Sequence, residues 1–166
     1  MLNKNNHRQT HTGFTLIELM IVIAILGAMV SYSVPSFHQY TIKTQVRESY
    51  VFGSQLQKAI TDYYTKQQRF PKNNQEAGLP PPNKLIGIHV TRIEVNNGSL
   101  QLTLGNKVNQ KIAGKKLTLQ PMVVDGSPKS PISWACGNAS NPIGMRKIGN
   151  NQTDIPAYYL PIECRI

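Results

Sequence analysis

The sequence predicts an α+β fold: a long amino-terminal helix packed against a four-stranded antiparallel sheet, with a cysteine-bounded loop closing the chain. Three observations carry that expectation. An apolar run beginning at Phe14 passes into an apolar stripe at three- and four-residue steps that reaches Tyr64, with Pro35 as its single internal proline. Alternating apolar residues then recur between Ile86 and Ala135, separated by turn signals. Cys136 and Cys164 are the two cysteines, both near the carboxyl end. At 166 residues the chain suits one domain plus a membrane element.

The chain opens with a polar leader, residues 1–13, that carries Lys4 and Arg8 and stops at Gly13. Residues 14–35 follow as a hydrophobic segment of about the twenty residues a bilayer requires, with both cations on the expected cytoplasmic side. Glu18 is the one acid inside it. A charged side chain left in hydrocarbon costs about 2.5–3.5 kcal/mol on insertion scales, so it calls for a partner and a task. A cleaved signal peptide ending near Ser31-Tyr32-Ser33 accounts for the leader and the apolar run, and so does a plain membrane anchor. Neither accounts for the joint placement of Gly13, Phe14 and Glu18.

Residues 36–66 form the amphipathic half of the predicted helix. Ile42, Val46, Tyr50, Gly53, Leu56, Ile60 and Tyr63 or Tyr64 make one stripe, while Arg47, Glu48, Lys58, Asp62 and Lys66 fall mostly off it. A helix from Phe14 to Lys66 would reach about 80 Å at 1.5 Å per residue, so its first half is expected to project and its second half to lie beneath a sheet. Gly27, Ser31, Ser33 and Pro35 are poor helix formers and mark a weak middle. Proline removes a backbone hydrogen bond, and glycine costs about 1 kcal/mol relative to alanine.

Residues 67–85 read as a connecting loop, with Phe70-Pro71 followed by an asparagine-rich stretch and Gly78-Leu79-Pro80-Pro81-Pro82. The sheet is expected over 86–135. Ile86, Ile88, Val90, Ile93 and Val95 suggest a first strand, Asn96-Asn97-Gly98 a turn, and Leu100, Leu102 and Leu104 the returning strand. Lys116 to Val124 and Ile132 to Cys136 supply the third and fourth. One face of this sheet is expected to rest on the amphipathic helix. In an exported chain the isolated cysteine pair reads as one disulfide bounding residues 136–164, the alternative being two buried thiols. The bridge would close a loop of roughly thirty residues, worth about 3–4 kcal/mol in the loop-entropy model.

Gly13-Phe14-Thr15-Leu16-Ile17-Glu18-Leu19 resembles the amino terminus of type IV pilins, the subunits of bacterial retractile fibres. The connector after Phe70 and the tail Ala157 to Arg165 are similar to the same family, and the short leader and Phe14 to its type IVa subclass. The resemblance implies the type IV pilin fold and cleavage by a prepilin peptidase between Gly13 and Phe14, with N-methylation of Phe14. It places the family's assembly glutamate at Glu18, whose carboxylate would neutralise the amino-terminal ammonium of a neighbouring subunit. It implies a stretch around Gly27 and Pro35 that bends or melts on assembly. The implied partners are further copies of the chain in a helical polymer, the peptidase, and pilus assembly machinery in the inner membrane. The implied location is the inner membrane before assembly and an extracellular pilus afterwards, used in adhesion, twitching motility and DNA uptake. A minor pilin of the same system, a type II secretion pseudopilin and a DNA-binding pilin are the alternatives.

No cofactor, metal cluster or catalytic set emerges, so an enzyme is not expected. His7 and His11 lie in the leader, while His38 and His89 stand apart. His89 is expected on the surface of a strand with no partner. The formal charge is +10, and without residues 1–13 the chain keeps 16 basic and 8 acidic residues. Such a surface attracts nucleic acid, lipid headgroups or acidic polysaccharide. Lys107, Lys111, Lys115, Lys116, Lys129, Arg146 and Lys147 are the candidate DNA contacts, with salt-sensitive, sequence-independent binding expected. Host surfaces are the other candidate partner.

Overall fold

The computed structural model describes residues 13–165, apart from the side chains of 32–36. Residues 1–12 of the leader and the side chain of Pro35 therefore lie outside the described residues. The chain forms two compact units, Met1–His38 and Gln39–Ile166.

The first unit holds the start of helix α1, which runs over Leu16–Ser54 and is helical through Pro35. Every described apolar side chain of the first unit stands open, Leu16 at 77% exposure and Val30 at 59% among them. Gly27 has open space where a Cβ would lie, so packing within this chain does not demand glycine there.

The second unit packs the remainder of α1 and helix α2 (Gln57–Gln67) against an antiparallel sheet. The single helix expected as far as Lys66 is interrupted at Gln55 and Leu56. Val51, Gly53 and Ser54 precede the break, and glycine–serine pairs are recurrent sites of helix bending. The last turn tightens there, with Leu56 N donating to Gly53 O at 3.0 Å. Gly53 also sits against the sheet: a Cβ on it would lie 2.6 Å from Leu102 Cδ2. The buried stripe is Ile42, Val46, Ser49, Gly53 and Ile60, while Tyr50 and Leu56 are partly covered.

The strands are β1 (Val90–Asn96), β2 (Ser99–Leu104), β3 (Lys116–Val124), β4 (Ser133–Cys136) and β5 (Met145–Lys147). Their order is β1-β2-β3-β4, with β5 also pairing β3. Leu100, Leu102, Leu117 and Leu119 are fully buried, and Leu100 sits opposite Leu119 and Leu102 opposite Leu117. The alternation thus builds the helix-facing side of the sheet, as expected. Two features differ from expectation. The first strand starts at Val90, because Gly87 N donates to Val90 O in a tight turn that leaves Ile86 and Ile88 exposed. A fifth strand lies inside the cysteine loop; at three residues it is too short to show alternation.

The cysteine loop closes on the sheet through the Cys136–Cys164 disulfide. One edge of β3 is covered in succession by residues 152–154 and β4, while the other carries β2 and then β5. Thr118 N donates to Thr153 Oγ1 and Lys116 N to Asp154 Oδ1 near the strand's start. Met122 to Val124 pair with β5 at its end. Thr118 and Gln120, pointing away from Leu117 and Leu119, are buried, and Gln120 Nε2 donates to Gly149 O. The hairpin tip is pinned to the connector: Asn97 N donates to Lys72 O and Gly98 N to Pro71 O, with Phe70 seated against Gly98.

Candidate functional site

The first turn of α1 is built around Thr15 and Glu18. Thr15 directly precedes the first helical residue, and its backbone N–H and hydroxyl both donate to Glu18 Oε2 at 2.8 Å. In return Glu18 N donates to Thr15 Oγ1 at 3.3 Å. This is a capping box: the N-cap hydroxyl and the carboxylate three residues on satisfy each other's backbone donors. The signal was present in the sequence as Thr15-Leu16-Ile17-Glu18, and the apolar character of the segment obscured it. The carboxylate is thereby fixed beside the positive end of the helix dipole. Its second oxygen, Oε1, carries no hydrogen bond among the described residues, and no cation there lies within ion-pair distance of it.

Gly13 and Phe14 lie ahead of the cap in non-helical chain. Phe14 is 85% exposed, so the bond between them is open to an enzyme. The apolar side chains behind Glu18 cover the helix all round. A helix of that kind is normally buried in protein or lipid, and an uncovered apolar surface of such extent marks an interaction site. Among the described residues no helix is long and apolar enough to cross a membrane. The expected segment 14–35 includes positions 32–35, whose side chains are outside the described set.

The seven candidate DNA contacts do not form one stripe. Lys107, Lys111 and Lys115 lie on the β2–β3 connection and Lys116 opens β3, whereas Arg146 and Lys147 pair with the strand's far end. Nine residues of strand separate the groups by about 25–30 Å at 3.3 Å per residue. Three of the seven are engaged internally: Lys116 Nζ donates to Gln152 Oε1, Lys147 Nζ to Ala139 O, and Arg146 pairs with Asp125. Lys129 lies elsewhere, beside Thr61 and Tyr64.

His89 departs from expectation. It sits in the bend before β1, its side chain is 13% exposed, and its Nε2 lies 2.9 Å from Glu48 Oε2 on α1. Its Nδ1 is buried without a hydrogen-bond partner among the described residues. The two residues are 41 positions apart in sequence, so no local pattern could have paired them. Among the described residues, no group of three or more His, Cys, Asp or Glu could hold a metal ion.

Residues 42–165 match a family model described as Pilin (bacterial filament), and residues 8–32 match one described as Prokaryotic N-terminal methylation motif. The chain is 36% identical over 159 residues to a type IV major pilin protein PilE1 of Neisseria gonorrhoeae, covering 92% of this chain and 86% of that protein. Another PilE1 of the same species is 38% identical over 160 residues, with 92% and 93% coverage. A fimbrial protein of Neisseria meningitidis is 36% identical over 162 residues, again with 92% and 93% coverage.

Proposed function

Because the chain belongs to the type IV pilin family, we propose that it is a major fibre subunit that polymerises through its apolar helix into an extracellular pilus. The family is one of structural subunits, not enzymes. The observation that carries the reading is the capped carboxylate of Glu18 at the head of a helix whose apolar side chains stand uncovered. Such a surface requires lipid or further copies of itself, and such a carboxylate requires a cation once it leaves water.

In this reading residues 1–13 are the leader, and a prepilin peptidase cuts between Gly13 and Phe14 and methylates Phe14. Residues 14–35 hold the subunit in the inner membrane until the assembly machinery draws it into the fibre. There the Phe14 amine of one protomer meets the free oxygen of Glu18 on the next. Gly27 and Pro35 supply the weak point, which fits the absence of any packing need for Gly27 within the chain. The fibre serves surface attachment, twitching motility and DNA uptake. In the last role Lys107, Lys111, Lys115 and Lys129 are the better contacts, since Lys116, Arg146 and Lys147 are held within the subunit. The major-subunit reading is favoured over minor pilins and pseudopilins by likeness to major pilins over nine-tenths of the chain.

The test is mass spectrometry of fibres sheared from the cell surface. The expected result is a dominant band whose chain begins with N-methylated Phe14. A secreted chain beginning near Val34 overturns the polymer, and trace abundance in intact fibres overturns the major-subunit role.

A further inference from the structure

At the start of the second unit a groove of about 320 Å3 runs between α1 and the carboxyl-terminal segment. Lys43 and Arg47, one helical turn apart, line it from α1, and Arg165 lines it from the chain's end. Tyr40 and Ile162 stand beside them, 68% and 80% exposed. Arg165 is fixed by carbonyls: its Nε donates to Leu160 O at 2.9 Å and its Nη2 to Tyr158 O at 3.3 Å. Carbonyls hold a guanidinium in place without neutralising it. Glu163 is the one acid of the groove, and among the described residues neither it nor Lys43, Arg47 or Arg165 makes an ion pair. Lys111 and Lys115 add to the positive field at the neighbouring Tyr158 hydroxyl.

Three cations gathered around one acid leave a net positive surface, which attracts an anion. The kind of anion follows from the neighbouring chain. Tyr40 comes ten residues after Val30, the end of the apolar run in the sequence. Tyrosine is enriched where hydrocarbon meets water, and a Lys or Arg near an anionic lipid surface is attracted to it by about 1 kcal/mol. An exposed isoleucine among the cations suits acyl chains rather than a nucleic-acid backbone. We propose that this groove seats the headgroups of anionic phospholipids while the subunit is still in the membrane. The proposal rests on the membrane stage of the function given above.

The full chain is reconstituted into nanodiscs of phosphatidylcholine alone or rich in phosphatidylglycerol, and lysine acylation is followed by mass spectrometry. Lys129, in a separate pocket, serves as internal reference. Lys43 acylation is expected to slow about fivefold relative to Lys129 in the anionic discs, the factor one cation contributes at such a surface. High salt restores the rate. Arg47→Gln, at an exposed position, removes most of the protection. Equal Lys43 rates in the two discs overturn the proposal. So does equal protection by inorganic phosphate in neutral discs, which assigns the groove to a free anion. Protection that rises in neutral discs with the number of chains per disc also overturns it, by assigning the groove to a second copy. A chain that fails to enter either disc overturns the membrane stage itself, a result separate from any at Lys43.

Discussion

Asn74 stands against Val95 as a one-residue strand. Its Oδ1 accepts from Val95 N at 2.8 Å, while its Nδ2 donates to Ile93 O at 3.0 Å, both on the side of β1 that no strand covers. A free sheet edge offers its N–H and C=O groups to other chains, and proteins commonly cover such edges. Here the connector does so with an amide that reproduces a strand's donor and acceptor.

Asn74→Ala leaves the Val95 N–H and the Ile93 carbonyl buried without partners. Removing one side of a buried hydrogen bond costs about 1–3 kcal/mol. The expected result is a melting point lower by several degrees, with increased self-association through β1. Thermal melts and light scattering check both. A variant that melts like the parent removes the capping role.

Gly53→Ala sets two effects against each other. Alanine favours the helix over glycine by about 1 kcal/mol. The new Cβ would lie 2.6 Å and 3.0 Å from the two methyls of Leu102, and 3.2 Å from Leu119 Cδ1. Both leucines are 0% exposed, so they have little room to withdraw, and overpacking of that kind costs about 1–3 kcal/mol. The overpacking wins, and a net loss of about 1 kcal/mol is expected in denaturant titrations. If the clash is the cause, the Gly53→Ala/Leu102→Ala double variant loses less stability than the sum of the two single losses, because the large loss from truncating Leu102 removes the atoms the new Cβ meets.

Glu76 organises the connector. Lys72 N and Arg69 Nη1 donate to its Oε2 at 2.9 and 2.8 Å, with Tyr63 Oη at 3.4 Å. The Lys72 N–H first and the Arg69 guanidinium second hold its carboxyl below the ordinary value of 4.5. A carboxylate with a lowered folded-state pKa adds stability above its unfolded pKa, and that addition disappears as pH falls through the folded one. The stability gap between the parent and Glu76→Gln should therefore be constant near neutrality and shrink as pH drops below about 4.5. Urea titrations across that range check it; a gap that widens in acid contradicts the assignment.

The legibility of these features in the sequence followed the length scale of the physics behind them. Leu100, Leu102 and Leu104 disclose β2 because alternation is local and the face they build is fully buried. Cys136 and Cys164 disclose their bridge because an exported chain leaves an isolated pair few alternatives. The helix break at Gln55 and Leu56 was hidden because the apolar stripe continues through it to Ile60, and the need for Gly53 comes from Leu102, 49 positions later in the numbering. Asn74 and the His89–Glu48 contact were likewise invisible: each joins side chains to partners that only the folded sheet brings near. In the front segment, Gly13, Phe14 and Glu18 stood out, while the reciprocal bonds of Thr15 did not.

Those bonds allow the two roles of Glu18 to be separated. Glutamine at position 18 keeps a side-chain oxygen for the Thr15 donors and loses the charge; Thr15→Ala keeps the charge and loosens the cap. Loss of an N-cap residue costs about 0.5–2 kcal/mol, which a helix held by lipid or by neighbouring copies can absorb. A carboxylate buried against an amine has no such reserve, because breaking the pair leaves the amine uncompensated. Glu18→Gln is therefore expected to abolish fibres while circular dichroism of the full chain in micelles stays unchanged. Thr15→Ala is expected to leave fibres in place with slightly frayed helicity. Electron microscopy of cells carrying each variant decides between them: fibres lost with Thr15→Ala and kept with Glu18→Gln would make the cap, and not the charge, the requirement for assembly.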